Sequence, residues 1–412
     1  LRIFLSAGEV SGDIVGALLS RKIREIEPEV EISGVGGARM AAAGVTIDAR
    51  TSHLGTVGVT EAVRAVPAFA RVLAAIRRRV RAGRPDVAIC IGNDVFNVLL
   101  ARWLRGRGVA TVSYFPPQVW IWRAVARVIA GSYDLILTSF PLEQEVYARA
   151  GARTASSVEF VGHYLCDSLR PRTADDIAAS RSRVGVEGAS PVLALLPGSR
   201  PHEVRRLAGV LLDSAREMSR SCDRLRIVVP VADAAYRDRI EAEVQARDLG
   251  ERVRLIADSH EAMRSADVVI LASGTASLEA ALLGVPMVIV YRVSSLTLGI
   301  IRAIIRLGLI ESETVGLPNL ILGSRVVPEL GQKRASVDGI VHVTRSLLED
   351  ETKRHAMRSQ LLRIAGKLAA GDTLARVAAA TLECGHASLR GQADGSRVEA
   401  AAALPRVTDG RS

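Results

Sequence analysis

Three small residues, Ser273-Gly274-Thr275, lie between an apolar β-branched run and a helix-forming one, a junction suited to binding an anion. The run before them, Val268–Ala272, reads as a buried strand. Ala276–Leu283 reads as a helix stopped by Gly284, and Pro286 opens a second buried strand, Met287–Tyr291. A helix starting above a strand end offers unpaired backbone N–H groups and the positive end of its dipole. Glu279 lies one turn after Thr275, so its carboxylate can face the same space. A phosphate over the helix start and a sugar hydroxyl on that carboxylate would together hold a nucleotide diphosphate. An ordinary capped helix in an α/β domain explains the same residues equally well.

The chain around this junction repeats one pattern: strand, turn, helix. Arg2–Ser6 is a strand, Ala7–Asp13 (AGEVSGD) a glycine-rich turn, Ile14–Glu27 a helix and Val30–Gly34 the next strand. Strands Asp86–Ile91, Val109–Tyr114 and Leu135–Thr138 follow. This order predicts a parallel sheet with crossover helices. The glycines Gly34, Gly36 and Gly37 do not spell G-x-G-x-x-G, so the dinucleotide fingerprint is absent. Functional groups in such sheets gather beyond the carboxyl ends of the strands, and Glu9, Asn93, Asp94, Gln118 and Trp120 fall on that edge. The alternation restarts at Val192–Leu196 and runs through Leu225–Val229 and Val253–Ile256 to the opening junction. The expected fold is α/β, two Rossmann-like domains facing a cleft. The expected bounds are 1–164 and 191–346 for the domains, 165–190 for a linker, 347–384 for C-terminal helices and 385–412 for an aperiodic tail.

A chain of 412 residues, 49% of them hydrophobic, can bury two sizeable cores. The net charge is +10 and almost wholly arginine, with lysine only at Lys22, Lys333, Lys353 and Lys367. That balance favours anionic partners, either phosphorylated ligands or acidic lipid. No RNA-binding signature or zinc-finger spacing is present, so nucleic acid is not expected as a partner. Cys90, Cys166, Cys222 and Cys384 form no C-x-x-C pair, which fits reduced thiols in a cytoplasmic protein without a structural metal. No signal peptide is read at the start, and no apolar run is long enough to span a bilayer.

Two stretches could meet a membrane. Glu61–Arg81 alternates aliphatic residues with arginines around Pro67 and reads as two short helices packed on their own domain. Val293–Ile310 is more apolar, with Arg302 and Arg306 one turn apart. It fits a helix lying in a lipid interface, or one packed on its own domain or a second copy of the chain.

Several motifs agree with one family. They are AGEVSGD (Ala7–Asp13), GVGGARM (Gly34–Met40), VGVTEA (Val57–Ala62), QVWIWR (Gln118–Arg123), FVGHYLCD (Phe160–Asp167), LLPGSRPHEV (Leu195–Val204), ASGTASLEAALLGVPMVIVYR (Ala272–Arg292) and GLPNLILG (Gly316–Gly323). In this order and spacing the chain resembles bacterial lipid-A-disaccharide synthase. The resemblance implies a GT-B fold whose second domain binds a UDP-diacylglucosamine donor, while the first takes an acylated glucosamine 1-phosphate acceptor. It also implies inverting transfer through a β-1,6 link, no metal or other cofactor, and loose attachment to the anionic inner face of the inner membrane, with a homodimer left open. A related GT-B enzyme with a changed acceptor, or a non-catalytic paralogue binding UDP-sugar or lipid, are the rival readings.

The residues fit that donor. Arg200, with Ser199 beside it after the strand Val192–Leu196, can neutralise a diphosphate with forked donors, though an ion pair with Glu203 would also occupy it. Ser273, Gly274 and Thr275 supply N–H groups, and Glu279 takes ribose hydroxyls. Asn319 offers an amide to sugar or phosphate, unless it bonds its own turn. Gln118 lies towards the acceptor. Inverting transfer needs a carboxylate to deprotonate the acceptor hydroxyl. The family's aspartate before Phe-Asn falls at Val95, and Asp94 stands one residue early. If the segment is extended, that step turns Asp94 to the opposite face; in a loose loop it could still reach. Glu9, carried over from the AGEVSGD match, is the other candidate base.

Overall fold

The computed structural model describes residues 1–51, 59–92, 94–118, 126–151, 157–231, 234–293, 299 and 314–393, without the side chains of 59–69, 94, 151, 201–202, 234–235 and 391–393. The described chain divides into two units. One holds residues 1–164 and 368–393, the other 165–293 and 314–367.

The first unit is built on seven parallel strands: β1 (Arg2–Ala7), β2 (Glu31–Gly36), β3 (Thr46–Arg50), β4 (Val87–Ile91), β5 (Ala110–Tyr114), β6 (Leu135–Thr138) and β7 (Ser157–Phe160). Their order is β3-β2-β1-β4-β5-β6-β7, so the winding reverses between β1 and β4. Ala7 pairs with Ile91, which sets the carboxyl ends of those two strands side by side. β4 is buried throughout and β1 all but its first residue. Each such aliphatic side chain contributes about 1.5–3 kcal/mol on burial, which favours apolar runs at the centre of a parallel sheet.

The second unit repeats the plan with six strands: β8 (Val192–Leu196), β9 (Arg226–Pro230), β10 (Val253–Ile256), β11 (Val268–Ala272), β12 (Met287–Tyr291) and β13 (Glu329–Gly331). The order β10-β9-β8-β11-β12-β13 places its reversal between β8 and β11, where Leu196 pairs with Leu271. Both units are therefore Rossmann-like α/β domains. The strands not foreseen, β3, β7 and β13, all lie at sheet edges. There half-exposed sequences such as TIDAR and SVEF carry no apolar run to mark them.

Four expectations change. The expected linker is not one: helices Leu165–Ser168 and Ala174–Arg183 belong to the second unit, where Arg181 pairs with Asp267 at 2.9 Å. The expected tail begins too early, because the helix Thr373–Ala393 continues past Gly385 and packs on helix Val10–Ile26, β4 and β5 of the first unit. Its alanine-rich sequence favours helix, and Val377, Ala378, Thr381 and Leu382 bury one face. The stretch around Pro67 is one helix, Val59–Ala82, rather than two. A mid-helix proline costs about 3 kcal/mol. Val72 and Ile76, packed with Phe4, Val35 and Ala88, contribute burial that offsets it. Finally, the segment after β4 is neither extended nor a loose loop: a helix, Asp94–Arg105, starts there. Asn93, Trp120, Trp122, the tail beyond 393 and nearly all of Val293–Ile310 lie outside the described residues.

Two of the sequence motifs meet in the first unit. Asp13, from AGEVSGD, is buried and accepts N–H bonds from Gly37 (2.7 Å), Met40 (3.1 Å) and Arg39 (3.0 Å) of GVGGARM. Replacing Asp13 with alanine leaves these amides without their acceptor. At about 1–3 kcal/mol for a buried unsatisfied group, the variant is expected to unfold several degrees below the parent chain in a thermal melt. An unchanged midpoint would show the contact to be dispensable.

Candidate functional site

The reversal between β8 and β11 brings two turns together, since ligands in open α/β sheets bind where the winding changes direction. The turn after β8 is Pro197-Gly198-Ser199-Arg200, which leads into helix Pro201–Ser219. Glu203 closes it. One carboxylate oxygen accepts the N–H of Ser199 and of Arg200, each at 3.2 Å, and the other meets Arg200 Nη1 at 3.1 Å. Gly198 has φ +113°, and a Cβ there would lie 2.3 Å from Glu203 Oε2, so this turn requires glycine. The ion pair expected for Arg200 does form, and it fixes the guanidinium at the sheet edge.

The turn after β11 carries Ser273, Gly274 and Thr275, with helix Thr275–Leu282 starting above the strand end. Ser277 bonds the Gly274 carbonyl through both its N–H (3.1 Å) and its hydroxyl (2.7 Å). The first amides of a helix have no partner within it. A Cβ built on Gly274 meets nothing within 4 Å, so the space over this helix start is open. Ser273 donates its hydroxyl to the Val315 carbonyl at 3.3 Å, which joins the turn to the Gly316–Gly323 motif.

Glu279 lies on this helix as expected, but one of its oxygens is engaged. Oε2 is 3.1 Å from His260 Nε2, and the pair raises the His260 pKa against the opposing effect of burial. The sequence reading missed His260. Its only local mark is Asp258, which caps helix Ser259–Ser265 by accepting the His260 and Glu261 N–H groups. Nothing in the spacing brings it to a residue 19 positions away. The same helix is closed at its other end by Arg172, whose Nη1 donates to the carbonyls of Met263 (3.2 Å), Arg264 (2.8 Å) and Ala266. Burial, and next the Arg358 guanidinium, pull Arg172 down to about 10, still charged at neutral pH.

Asn319 takes the alternative that the sequence left open and bonds its own loop. It is buried, and its Nδ2 donates to the Val327 carbonyl (2.8 Å) and Glu329 Oε1 (2.7 Å). Its Oδ1 accepts the Val326 and Val327 N–H groups, each at 2.8 Å. With both amide hydrogens used, Asn319 staples the loop and has none for a ligand. Glu329, also missed, completes the staple by accepting the Val315 and Gly316 N–H groups.

In the first unit, Glu9 and Asp94 flank the other reversal. Glu9 is half-buried at the start of helix Val10–Ile26, after β1, and Asp94 opens helix Asp94–Arg105, after β4. The orientation of that helix is set by Asn97, which is buried. Its Oδ1 accepts the Ser6 hydroxyl at 2.6 Å, and its Nδ2 donates to the Ile91 and Gly92 carbonyls. Val95 is 71% exposed, so the position aligned with the family's aspartate carries an apolar side chain in solvent. Gln118 is half-buried after β5, beyond a turn that Tyr147 holds by donating its hydroxyl to the Pro117 carbonyl. His163 is buried against Phe115, Phe140 and Tyr164, and burial pushes it down to about 3, so it is neutral.

A sequence profile of the lipid-A-disaccharide synthetase family matches residues 3–378. A lipid-A-disaccharide synthase from Chromohalobacter salexigens is 38% identical over 373 residues, covering 90% of this chain and 94% of its own. In fold, the chain is similar to a putative UDP-N-acetylglucosamine 2-epimerase from Listeria monocytogenes, with TM-score 0.62 and 13% identity over 96% of this chain and 97% of that one. An Anabaena protein solved in complex with UDP and glucose gives TM-score 0.53 and 16% identity over 92% and 98%.

Proposed function

The chain belongs to the lipid-A-disaccharide synthetase family, and from that membership we propose a lipid-A-disaccharide synthase, a glycosyltransferase of lipid A biosynthesis. It transfers 2,3-diacylglucosamine from UDP to the 6-hydroxyl of 2,3-diacylglucosamine 1-phosphate, with inversion and release of UDP. The observation that carries the donor assignment is the second sheet's reversal, where the open helix start at Thr275 adjoins the Arg200 turn. The amides of Ser273, Gly274 and Thr275 and the Arg200 guanidinium would meet the diphosphate, so charge growing on the leaving UDP is met by fixed donors. Binding the diphosphate through these groups would require no metal. The acceptor hydroxyl gives its proton to a carboxylate as it attacks the anomeric carbon. Asp94 and Glu9 stand at the first sheet's reversal for that role.

Among the described residues no helix is long and apolar enough to cross a membrane. The net charge of +10 and the sequence of Val293–Ile310 support peripheral attachment to the anionic inner face of the inner membrane. One observation favours a second reading, a changed acceptor: Val95 stands where the resemblance to the family implies aspartate. The purified chain, given UDP-2,3-diacylglucosamine and 2,3-diacylglucosamine 1-phosphate, is expected to yield the tetraacyl disaccharide 1-phosphate and stoichiometric UDP. UDP release only with another acceptor would select the second reading.

A further inference from the structure

The contact between His260 and Glu279 has no part in the donor site as set out above, yet it engages the carboxylate expected to hold the nucleoside. We propose that His260 is a positioning residue of the donor site, holding Glu279 Oε2 so that Oε1 is presented to the vicinal hydroxyls of the donor's ribose. The inference rests on the donor-site reading and adds a residue to it.

The geometry carries the proposal. His260 Nε2 is 3.1 Å from Glu279 Oε2, and both side chains are partly screened from solvent, at 34% and 19% exposure. A carboxylate on a helix can rotate about its side-chain torsions, and a donor on one oxygen removes that freedom before the ligand arrives. The support behind His260 is rigid. Asp258 caps its helix at one end, and the buried Arg172 guanidinium takes three carbonyls at the other. A mobile surface histidine has no such bracing.

The groups around the ring set its response to pH. Glu279 raises the His260 pKa most, Asp258 raises it further, and burial and Arg264 lower it, with a net upward shift. On the adjoining helix Ala174–Arg183, Arg183 pairs with Glu261 at 2.9 Å rather than with the ring. Protonated His260 makes the stronger, charge-assisted bond. Its support of donor binding is therefore complete at low pH and is lost as pH rises through the elevated pKa.

The test is calorimetric titration of the whole chain with UDP-N-acetylglucosamine, whose diphosphate diester does not titrate near neutrality. In the parent chain, affinity is expected to fall about 5- to 10-fold from about pH 6 to about pH 8.5. His260→Gln keeps a donor that does not titrate, and should bind at the parent's high-pH level throughout. His260→Lys keeps the charge, and should hold the tighter level at about pH 8.5. Glu279→Gln should abolish the slope. The same slope in His260→Gln or in Glu279→Gln overturns the inference while leaving the donor site standing. No binding by the parent chain at any pH overturns the donor-site reading itself.

Discussion

Asp94→Asn is expected to lower turnover by about 10²- to 10⁴-fold, the usual contribution of a positioned general base, while binding of UDP-sugar stays unchanged. The expectation follows from topology. β1 and β4 are neighbours across the reversal of the first sheet, and Asp94 opens the helix directly after β4. Asn97, buried and bonded to Ser6 and to the end of β4, anchors that helix three residues on, so its first turn cannot slide along the sheet. In a helix, Asp94 and Val95 differ by about 100° in direction, not by the half-turn an extended segment would impose. A residue one position early thus opens the same helix, at the end of β4. Glu9→Gln, at the neighbouring strand end, is expected to cost less than tenfold. If the large loss falls on Glu9→Gln instead, the base is Glu9. Val95→Asp completes the comparison. A parent chain without turnover that gains it in this variant would show that Asp94 does not serve, and that the chain has lost the transferase step.

Arg200→Ala is the second variant with a large expected effect. Charge-assisted hydrogen bonds contribute about 1.5–3 kcal/mol each, so affinity for UDP should fall roughly 10- to 150-fold. Stability should change little, because the Arg200–Glu203 pair is a partly exposed i,i+3 contact and such pairs contribute only a few tenths of a kcal/mol. Arg200→Lys keeps the charge but loses the planar fork, and should recover only part of the affinity. Titration with UDP measures both. Unchanged affinity in Arg200→Ala would remove the guanidinium from the donor site, whatever the family match.

The central strands were legible because burial on both faces demands continuous apolar runs: β8, β11 and β12 stand where the composition placed them. The turns at their ends were legible for the same reason, since small residues interrupt those runs. What could not be read depends on the third dimension. The edge strands β3 and β7 have no fully buried residue to announce them, and the short β13 has only Leu330. Asn319 and Arg200 looked alike as candidates, and only the partners contributed by Val326, Val327 and Glu329 mark Asn319 as a loop staple. His260 reaches Glu279 because the crossover from β10 to β11 passes over β9 and β8, a path fixed by strand order rather than by sequence distance.

The return of Thr373–Ala393 to the first unit makes that lobe discontinuous along the polypeptide. A ribosome releases chain from the amino end, so the stretch that lies against Val10–Ile26, β4 and β5 emerges after every described strand of both units. The lobe begun first therefore waits for its closing helix, while the strands of the other lobe have already left the exit tunnel. During synthesis the apolar surface beneath that helix stands uncovered for the passage of more than two hundred residues, from β5 to Thr373, an interval in which a chaperone could act.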